Sequence, residues 1–304
     1  MSRCLDGQVI LVTGAGRGIG REIALLAAAE GGRVVINDLG AGADGSGASA
    51  DCAQELVAEI KAFGGTAIAN SGSITDRHAV SQMIEQAVST FGRLDAVVNN
   101  AGFLRDKIFH KMTEEEWDAV VNVHMTGYWN VSRAAATQFR DAKRGRFVHF
   151  TSTSGLIGNF GQANYAAAKM GVVGLSKSIA LDMERFNVRS NCIAPFAWSR
   201  MTDSIPTETP EEKLRVERLK SMSADKIAPL AVFLASDLSE GVNGQIFGCR
   251  KNEIFLFSQP RPVRSVHSAS GWNPESLRTT MLPALKGSFI DLDRSGDIFS
   301  WDPI

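Results

Sequence analysis

The stretch that most constrains the fold lies near the start of the chain, where an apolar run leads into a glycine-rich turn. Residues 9–12 are all apolar, which is typical of a strand buried on both faces. The segment TGAGRGIG follows at residues 13–20, and a helical pattern then runs from residue 22 to residue 30. Strand, glycine turn and helix in this order predict a dinucleotide-binding unit, because free backbone N–H groups then face a pyrophosphate.

The glycine turn supplies the first predicted contacts to such a cofactor. Glycine lets the backbone turn tightly and approach the pyrophosphate closely. The predicted contacts in this turn are Gly14, Arg17, Gly18, Ile19 and Gly20. A plain glycine-rich turn is the alternative, and the correct flanking strand and helix argue against it.

The second predicted strand, residues 33–38, ends in an acidic side chain that bears on the choice of cofactor. A carboxylate at Asp38 would accept hydrogen bonds from the adenosine ribose and repel a 2′-phosphate. The sequence contains no lysine or arginine between Arg33 and Lys61, so Arg17 is the nearby cation that would offset this repulsion. We therefore predict NAD rather than NADP; the alternative for Asp38 is an ordinary turn former at a strand end.

Apolar strands alternate with helical patterns along the rest of the chain, which at 304 residues is long enough for a large α/β domain. Further strands are predicted at residues 66–69, 94–98, 146–150, 188–194 and 244–247, with helices between them. This alternation predicts a Rossmann-type, doubly wound parallel sheet that binds ligands at the carboxyl ends of its strands. We expect residues 1–248 to form this domain and residues 249–304 to be a C-terminal extension packed on it or on a neighbouring subunit.

The stretch from residue 150 to residue 169 carries the candidate catalytic side chains. Tyr165 and Lys169 are four positions apart, so on a helix both lie on one face. A cation beside a phenol lowers the pKa of the phenol, which then gives or takes a proton near neutral pH. Ser152 would polarise a carbonyl oxygen. The alternative is a buried Tyr, a surface Lys and a turn Ser, since Y-x-x-x-K alone is common.

Charge and cysteine usage exclude several kinds of partner. The formal net charge of -1 gives no reason to expect nucleic acid or a membrane surface, and no metal site is expected. No apolar run reaches the roughly 18 residues of a membrane span, and no signal stretch follows Met1. Four scattered cysteines predict free thiols in a reducing compartment, the cytoplasm.

Together these motifs resemble those of the short-chain dehydrogenase/reductase family over about residues 5–248. The matching segments are TGxxxGxG at 13–20, NNAG at 99–102, Asn122, Ser152 and YxxxK at 165–169. The resemblance implies a hydride-transfer enzyme that uses a nicotinamide cofactor. It makes Tyr165 the general acid/base and Ser152 the group that orients the substrate oxygen.

The same resemblance assigns further roles. Lys169 would hold the ribose and lower the pKa of Tyr165, and Asn122 would hold a water in a proton relay. Further implied cofactor contacts are Ser73, Ile74, Asn100, Ala101, Gly102 and Ser199, with Ser73 in place of an aspartate that many members have. Long helices at 114–142 and 162–186 imply a homodimer or homotetramer. Residues 203–222, polar and charged, would form a solvated helix or a lid that carries cations to CoA phosphates.

Within the family, VVINDLG at 34–40 and GNFGQANY at 158–165 are similar to the (3R)-hydroxyacyl-CoA dehydrogenase domain of peroxisomal multifunctional enzyme type 2. This similarity predicts the interconversion of 3-hydroxyacyl-CoA and 3-oxoacyl-CoA, in the degradation of fatty acids or steroid side chains. An NADPH-dependent 3-oxoacyl carrier-protein reductase or a hydroxysteroid dehydrogenase is the alternative among enzymes. A dinucleotide-binding scaffold without turnover is the alternative outside them.

Overall fold

A computed structural model describes residues 3–42, 45, 47, 51–197, 209, 214, 216–217 and 220–304. Its eight described strands form one sheet in the order β3-β2-β1-β4-β5-β6-β7-β8. The strands are β1 Val9–Thr13, β2 Arg33–Asn37, β3 Thr66–Asn70, β4 Ala96–Asn99, β5 Gly145–Phe150, β6 Val188–Phe196, β7 Ile246–Arg250 and β8 Glu253–Leu256. Neighbours pair in parallel except β7 with β8, which confirms the predicted Rossmann-type sheet.

Helices connect the strands and cover the sheet. The described helices are α1 Gly18–Ala29, α2 Asp51–Ala62, α3 Arg77–Phe91, α4 Glu114–Val121, α5 Tyr128–Ala142, α6 Thr153–Leu156, α7 Ala163–Asp182, α8 Ala228–Ala235, α9 Pro274–Ser276, α10 Leu282–Lys286 and α11 Ser295–Ile298. A π-helical turn, Asn122–Gly127, joins α4 to α5, so a continuous helix contains one widened turn. Thr113 caps α4 through a capping box with Glu116.

Two apolar cores bury the two faces of the sheet. One core packs α1, α2 and α8 against the strands, and the other packs α3, α5 and α7 against the opposite face. All five residues of β1 are buried, because this central strand has helices on both sides. Strands β2 and β4 lie on opposite sides of β1. The strand order therefore reverses at β1, and such a reversal opens a cleft at the carboxyl ends of the strands.

The last part of the chain returns to the edge of the sheet. Strand β7 crosses residue 248, and β8 continues the sheet to residue 256. The ring of Phe299 lies 4.7 Å from the ring of Phe196 and 5.1 Å from that of Phe255, measured between centroids. The indole N–H of Trp301 donates to Glu253 at 2.8 Å. These contacts place the chain end beside β6 and β8.

Two sequence predictions lie outside the part of the chain that the structure describes. Ser199, one of the predicted cofactor contacts, is the first, and most of the polar segment 203–222 is the second. Within the described residues, no helix combines the length and the apolar character needed to cross a membrane.

Candidate active site

The floor of the cleft is the glycine turn between β1 and α1. Gly14 has a φ of +63°, and a Cβ on it would lie 2.6 Å from the Cα of Ala101, so only glycine permits this approach. A Cβ on Gly20 would lie 2.2 Å from the carbonyl oxygen of Gly14. Helix α1 begins at Gly18 with no side-chain cap, which leaves its end suited to an anion such as a pyrophosphate.

Asp38 ties the end of β2 to that turn. One oxygen of its carboxylate accepts a hydrogen bond from the Gly16 N–H at 2.7 Å, and the other accepts from the Gly40 N–H at 2.7 Å. Asp38 and Arg17 line the same cleft, whose volume is about 490 Å³. The carboxylate therefore lies at the edge of the cleft and is fixed to the glycine turn.

The loop after β4 is locked onto the glycine turn. The side-chain amide of Asn100 donates to the carbonyl oxygens of Gly14 at 3.0 Å and of Thr13 at 3.2 Å. Its backbone N–H donates to the Thr13 hydroxyl at 3.1 Å. On the adjacent wall, Asn130 fixes the backbone of Ile74 by donating to its carbonyl at 2.9 Å. These bonds fix the relative positions of the cleft walls.

Tyr165 and Lys169 line this cleft, and Ser152, the residue after Thr151 of the lining, hydrogen-bonds with Tyr165. Ser152 caps the short helix α6, and its hydroxyl lies 3.2 Å from that of Ser154. Tyr165 and Lys169 lie one turn apart on α7, as their spacing predicts. The ammonium of Lys169 is buried and donates to the carbonyl of Phe150 at 2.7 Å. The arrangement places a phenol, a hydroxyl and a cation side by side.

The pKa values of this pair differ from the sequence expectation. Burial raises the pKa of Tyr165 to about 12, while hydrogen bonding with Ser152 acts in the opposite direction. Burial also lowers the pKa of Lys169 to about 7. The ammonium nitrogen lies 5.6 Å from the centroid of the Tyr165 ring and is not bonded to its oxygen. In the protein alone, burial therefore outweighs the lowering that we expected from Lys169.

Asn122 does not enter the cleft, although the resemblance assigned it a catalytic role. It is an exposed residue at the start of the π-helical turn, whereas His124 is buried and lines the cleft. Residues two apart on a helix point in directions roughly 200° apart, so only one of them faces the site. The structure therefore does not bring Asn122 to Tyr165 and Lys169, and its role in a proton relay stays a prediction.

His124 is a residue that sequence reasoning missed. Its Nε2 lies 3.1 Å from the backbone N and 2.7 Å from the carbonyl oxygen of Phe103, so it holds the loop after β4. Its ring meets that of Tyr165 edge-on at 5.1 Å. Burial, and then the charge of Lys169, hold the pKa of His124 well below its usual range, so it is neutral. Val120 and Val131 are buried on the same face of this helix as His124. A histidine on an otherwise apolar helix face is the signal that would have identified it.

Most predicted cofactor contacts line the cleft. They are Gly14, Arg17, Gly18, Ile19, Asp38, Ser73, Ile74, Asn100, Ala101, Gly102, Tyr165 and Lys169. Gly20 is buried beneath the turn, and Ser152 follows Thr151, which lines the cleft. Lining residues that the sequence analysis did not name include Asn37, Leu39, Phe103, Val123 and Pro195.

A C-terminal clasp, residues 293–301, reaches the loop between Ser152 and Tyr165. Ser295 donates to the carbonyl of Gly158 from its backbone N–H at 3.0 Å and from its hydroxyl at 3.2 Å. The guanidinium of Arg294 lies 5.6 Å from the centroid of the Phe160 ring. The clasp thus connects the end of the chain to the loop between Ser152 and Tyr165.

Comparison with known proteins agrees with this site. The family model described as short chain dehydrogenase matches residues 8–210. Peroxisomal multifunctional enzyme type 2 of Mus musculus is 43% identical over 242 residues, which cover 80% of this chain but 31% of that protein. Hydroxyacyl-CoA dehydrogenase ChsB1 of Mycobacterium tuberculosis is 38% identical over 287 residues, covering 91% of this chain and 88% of that one. The chain therefore spans less than a third of the peroxisomal relative.

A solved structure gives the same result for the fold. The crystal structure of a short chain dehydrogenase from Mycobacterium avium superposes with a TM-score of 0.83 at 37% sequence identity, covering 96% of this chain and 98% of that one. Both the sequence motifs and the described geometry thus find counterparts in one family. The chain belongs to the short-chain dehydrogenase/reductase family and is an oxidoreductase.

Proposed function

We propose that this chain interconverts a 3-hydroxyacyl-CoA and a 3-oxoacyl-CoA with NAD as the cofactor. The observation that carries the proposal is the position of Tyr165 and Lys169 in a cleft, beside Ser152. Another part of that cleft is a glycine turn with a carboxylate, Asp38, at its edge. A site that holds a dinucleotide beside a proton-transfer tyrosine suits the oxidation of a secondary alcohol.

The chain's own residues would supply the proton chemistry and the geometry. A bound nicotinamide supplies hydride transfer. The phenol oxygen of Tyr165 takes the hydroxyl proton in oxidation and returns it in reduction, and Ser152 orients the substrate oxygen. Lys169 holds the ribose and favours negative charge on the phenol. His124 replaces Asn122 in this proposal, as the side chain that fixes the Phe103 backbone.

The substrate class rests on the relatives. One relative is named a peroxisomal multifunctional enzyme and another a hydroxyacyl-CoA dehydrogenase, and the second of these, ChsB1, matches 91% of this chain. We extend that substrate class to this chain. The acyl group would enter beside residues 158–161, where the clasp meets the loop.

One observation favours a second candidate function. Arg17 lines the cleft near Asp38, and a guanidinium there would attract the 2′-phosphate of NADP. Because the pKa of Tyr165 is raised to about 12, this side chain is a proton donor near neutral pH, which suits reduction. The second candidate is therefore an NADPH-dependent reductase of a 3-oxoacyl carrier protein or a steroid ketone.

A substrate panel separates the two candidates. Purified protein would be assayed with NAD and NADP, in both directions, against acyl-CoA esters of several chain lengths, acyl carrier proteins and hydroxysteroids. The proposal predicts the highest kcat/KM for a 3-hydroxyacyl-CoA with NAD. A highest value for a carrier-protein thioester or a steroid ketone with NADPH would establish the second candidate instead.

We also propose a homodimer or homotetramer in a reducing compartment, the cytoplasm. None of the four cysteines, all of them described by the structure, forms a disulfide, which supports the compartment. Helices α5 and α7 expose Trp129, Met170 and Leu181 on the surface, and these apolar side chains support pairing between subunits. Light scattering at micromolar protein would show a dimer or tetramer, and a monomer would contradict the assembly.

A further inference from the structure

Both tyrosines of this chain lie against the same lysine. The sequence contains two tyrosines, Tyr128 and Tyr165. The ammonium nitrogen of Lys169 lies 4.9 Å from the centroid of the Tyr128 ring and 5.6 Å from that of Tyr165. Tyr128, at the start of α5, is 0% exposed. A fully buried phenol is uncommon unless its hydroxyl has a partner, and here that partner is the lysine.

The ammonium of Lys169 has three N–H donors, and two of them have partners in the described structure. One donates to the carbonyl of Phe150 at 2.7 Å, and the other donates to the hydroxyl of Tyr128 at 3.2 Å. Burying a cation is costly unless such acceptors replace water. The two acceptors also fix the direction of the side chain, which leaves the third N–H for the cleft.

Four titratable groups face Lys169 besides Tyr128. Tyr165 lies on the same helix, α7, and His124, His149 and Cys192 come from other elements packed around it. Burial raises the pKa of the phenol and of the thiol and lowers the pKa of both imidazoles. All four are therefore neutral near pH 7, and none supplies a counter-charge there. The polar partners of the ammonium are thus the carbonyl and the Tyr128 hydroxyl.

We propose that Tyr128 is a positioning residue, whose hydroxyl holds Lys169 in the orientation and the charged state that catalysis uses. This inference rests on the role given to Lys169 in the proposed function. Tyr128 does not line the cleft, so it would act through the lysine alone. A hydrogen bond accepted from an ammonium favours its charged form, so losing the hydroxyl would make Lys169 release its proton at lower pH.

The test replaces Tyr128 with phenylalanine, which keeps the ring and removes only the hydroxyl. The titration of Lys169 is followed by the carbon-13 resonance of its ε-carbon in lysine-labelled protein, assigned with Lys169→Met. Because a hydrogen bond to a charged group is lost, the midpoint should fall by roughly one to two pH units from about 7. The fall of kcat/KM for ketone reduction at high pH should move by the same amount.

Ser239→Ala is the matched control. Ser239 is fully buried and its hydroxyl donates to the carbonyls of Leu234 and Ser236, away from Lys169. This variant should leave the Lys169 midpoint unchanged. An unchanged midpoint in Tyr128→Phe protein would overturn the proposal. A shifted midpoint in a protein without dehydrogenase activity would support the hold on Lys169 and reject the proposed function, so the two failures are distinguishable.

Discussion

The cofactor preference follows from the carboxylate of Asp38, and Asp38→Asn tests it. Two unit charges about 4 Å apart at an effective dielectric constant near 20 repel by about 4 kcal/mol. Asp38 is half-buried, so water screens part of this repulsion, and a penalty of about 2–3 kcal/mol corresponds to roughly 10²-fold in affinity. Wild-type protein should therefore favour NAD over NADP by about that factor, and Asp38→Asn should remove most of it.

The ratio of kcat/KM for NAD to kcat/KM for NADP is the appropriate readout. Asparagine retains one oxygen acceptor for the N–H groups of Gly16 and Gly40, so some loss of stability is expected and cancels in a ratio. Asp141→Asn, which removes an exposed carboxylate at the far end of α5, is the control and should leave the ratio unchanged. If wild-type protein prefers NADPH, then Arg17 dominates the site and the cofactor reasoning is refuted.

Three other predictions concern the same cleft. With pKa values of about 12 for Tyr165 and about 7 for Lys169, the pair binds two protons below pH 7 and one above it. Reduction needs both protons, so its kcat/KM should fall about tenfold per pH unit above pH 7. The kcat/KM for oxidation should instead rise up to pH 7 and then stay level. Identical pH profiles for the two directions would contradict this. Gly102→Ala would put a Cβ 2.0 Å from the His124 ring. This overpacking should cost about 1–3 kcal/mol of stability and lower both Tm and cofactor affinity. An unchanged Tm would show that His124 moves freely. Arg294→Ala removes the cation above Phe160, a contact worth about 0.5–1 kcal/mol. The loss should raise KM for the acyl substrate a few-fold. An equal rise in KM for the cofactor would argue against a role of the clasp in binding the acyl group.

The parts of this protein that were predictable from sequence are those encoded by short spacings. The turn before α1 requires glycine because a Cβ on Gly14 would clash with Ala101. The sequence therefore shows the turn directly, as a pattern of glycines. The four-residue spacing of Tyr165 and Lys169 places them one turn apart on α7. Alternating strands and helices were sufficient to predict the sheet.

Other features depend on packing between distant segments, which spacing does not report. His124, and not Asn122, lines the cleft, and residue spacing alone does not indicate which of the two faces it. Burial sets the pKa of Tyr165, so a nearby lysine in the sequence gave the wrong direction. The contact between Ser295 and Gly158 joins residues 137 positions apart, and no local pattern indicates it.

The most direct test of the proposed activity compares wild-type protein with Tyr165→Phe. Both proteins would be mixed with NAD and a 3-hydroxyacyl-CoA, and NADH formation would be followed by its absorbance, with cofactor binding measured separately by fluorescence. The proposal predicts turnover by the wild-type protein and a loss of roughly 10²-fold or more in the variant, with cofactor affinity unchanged. Turnover of the variant at a near-wild-type rate would contradict the assignment of Tyr165 as the proton-transfer group.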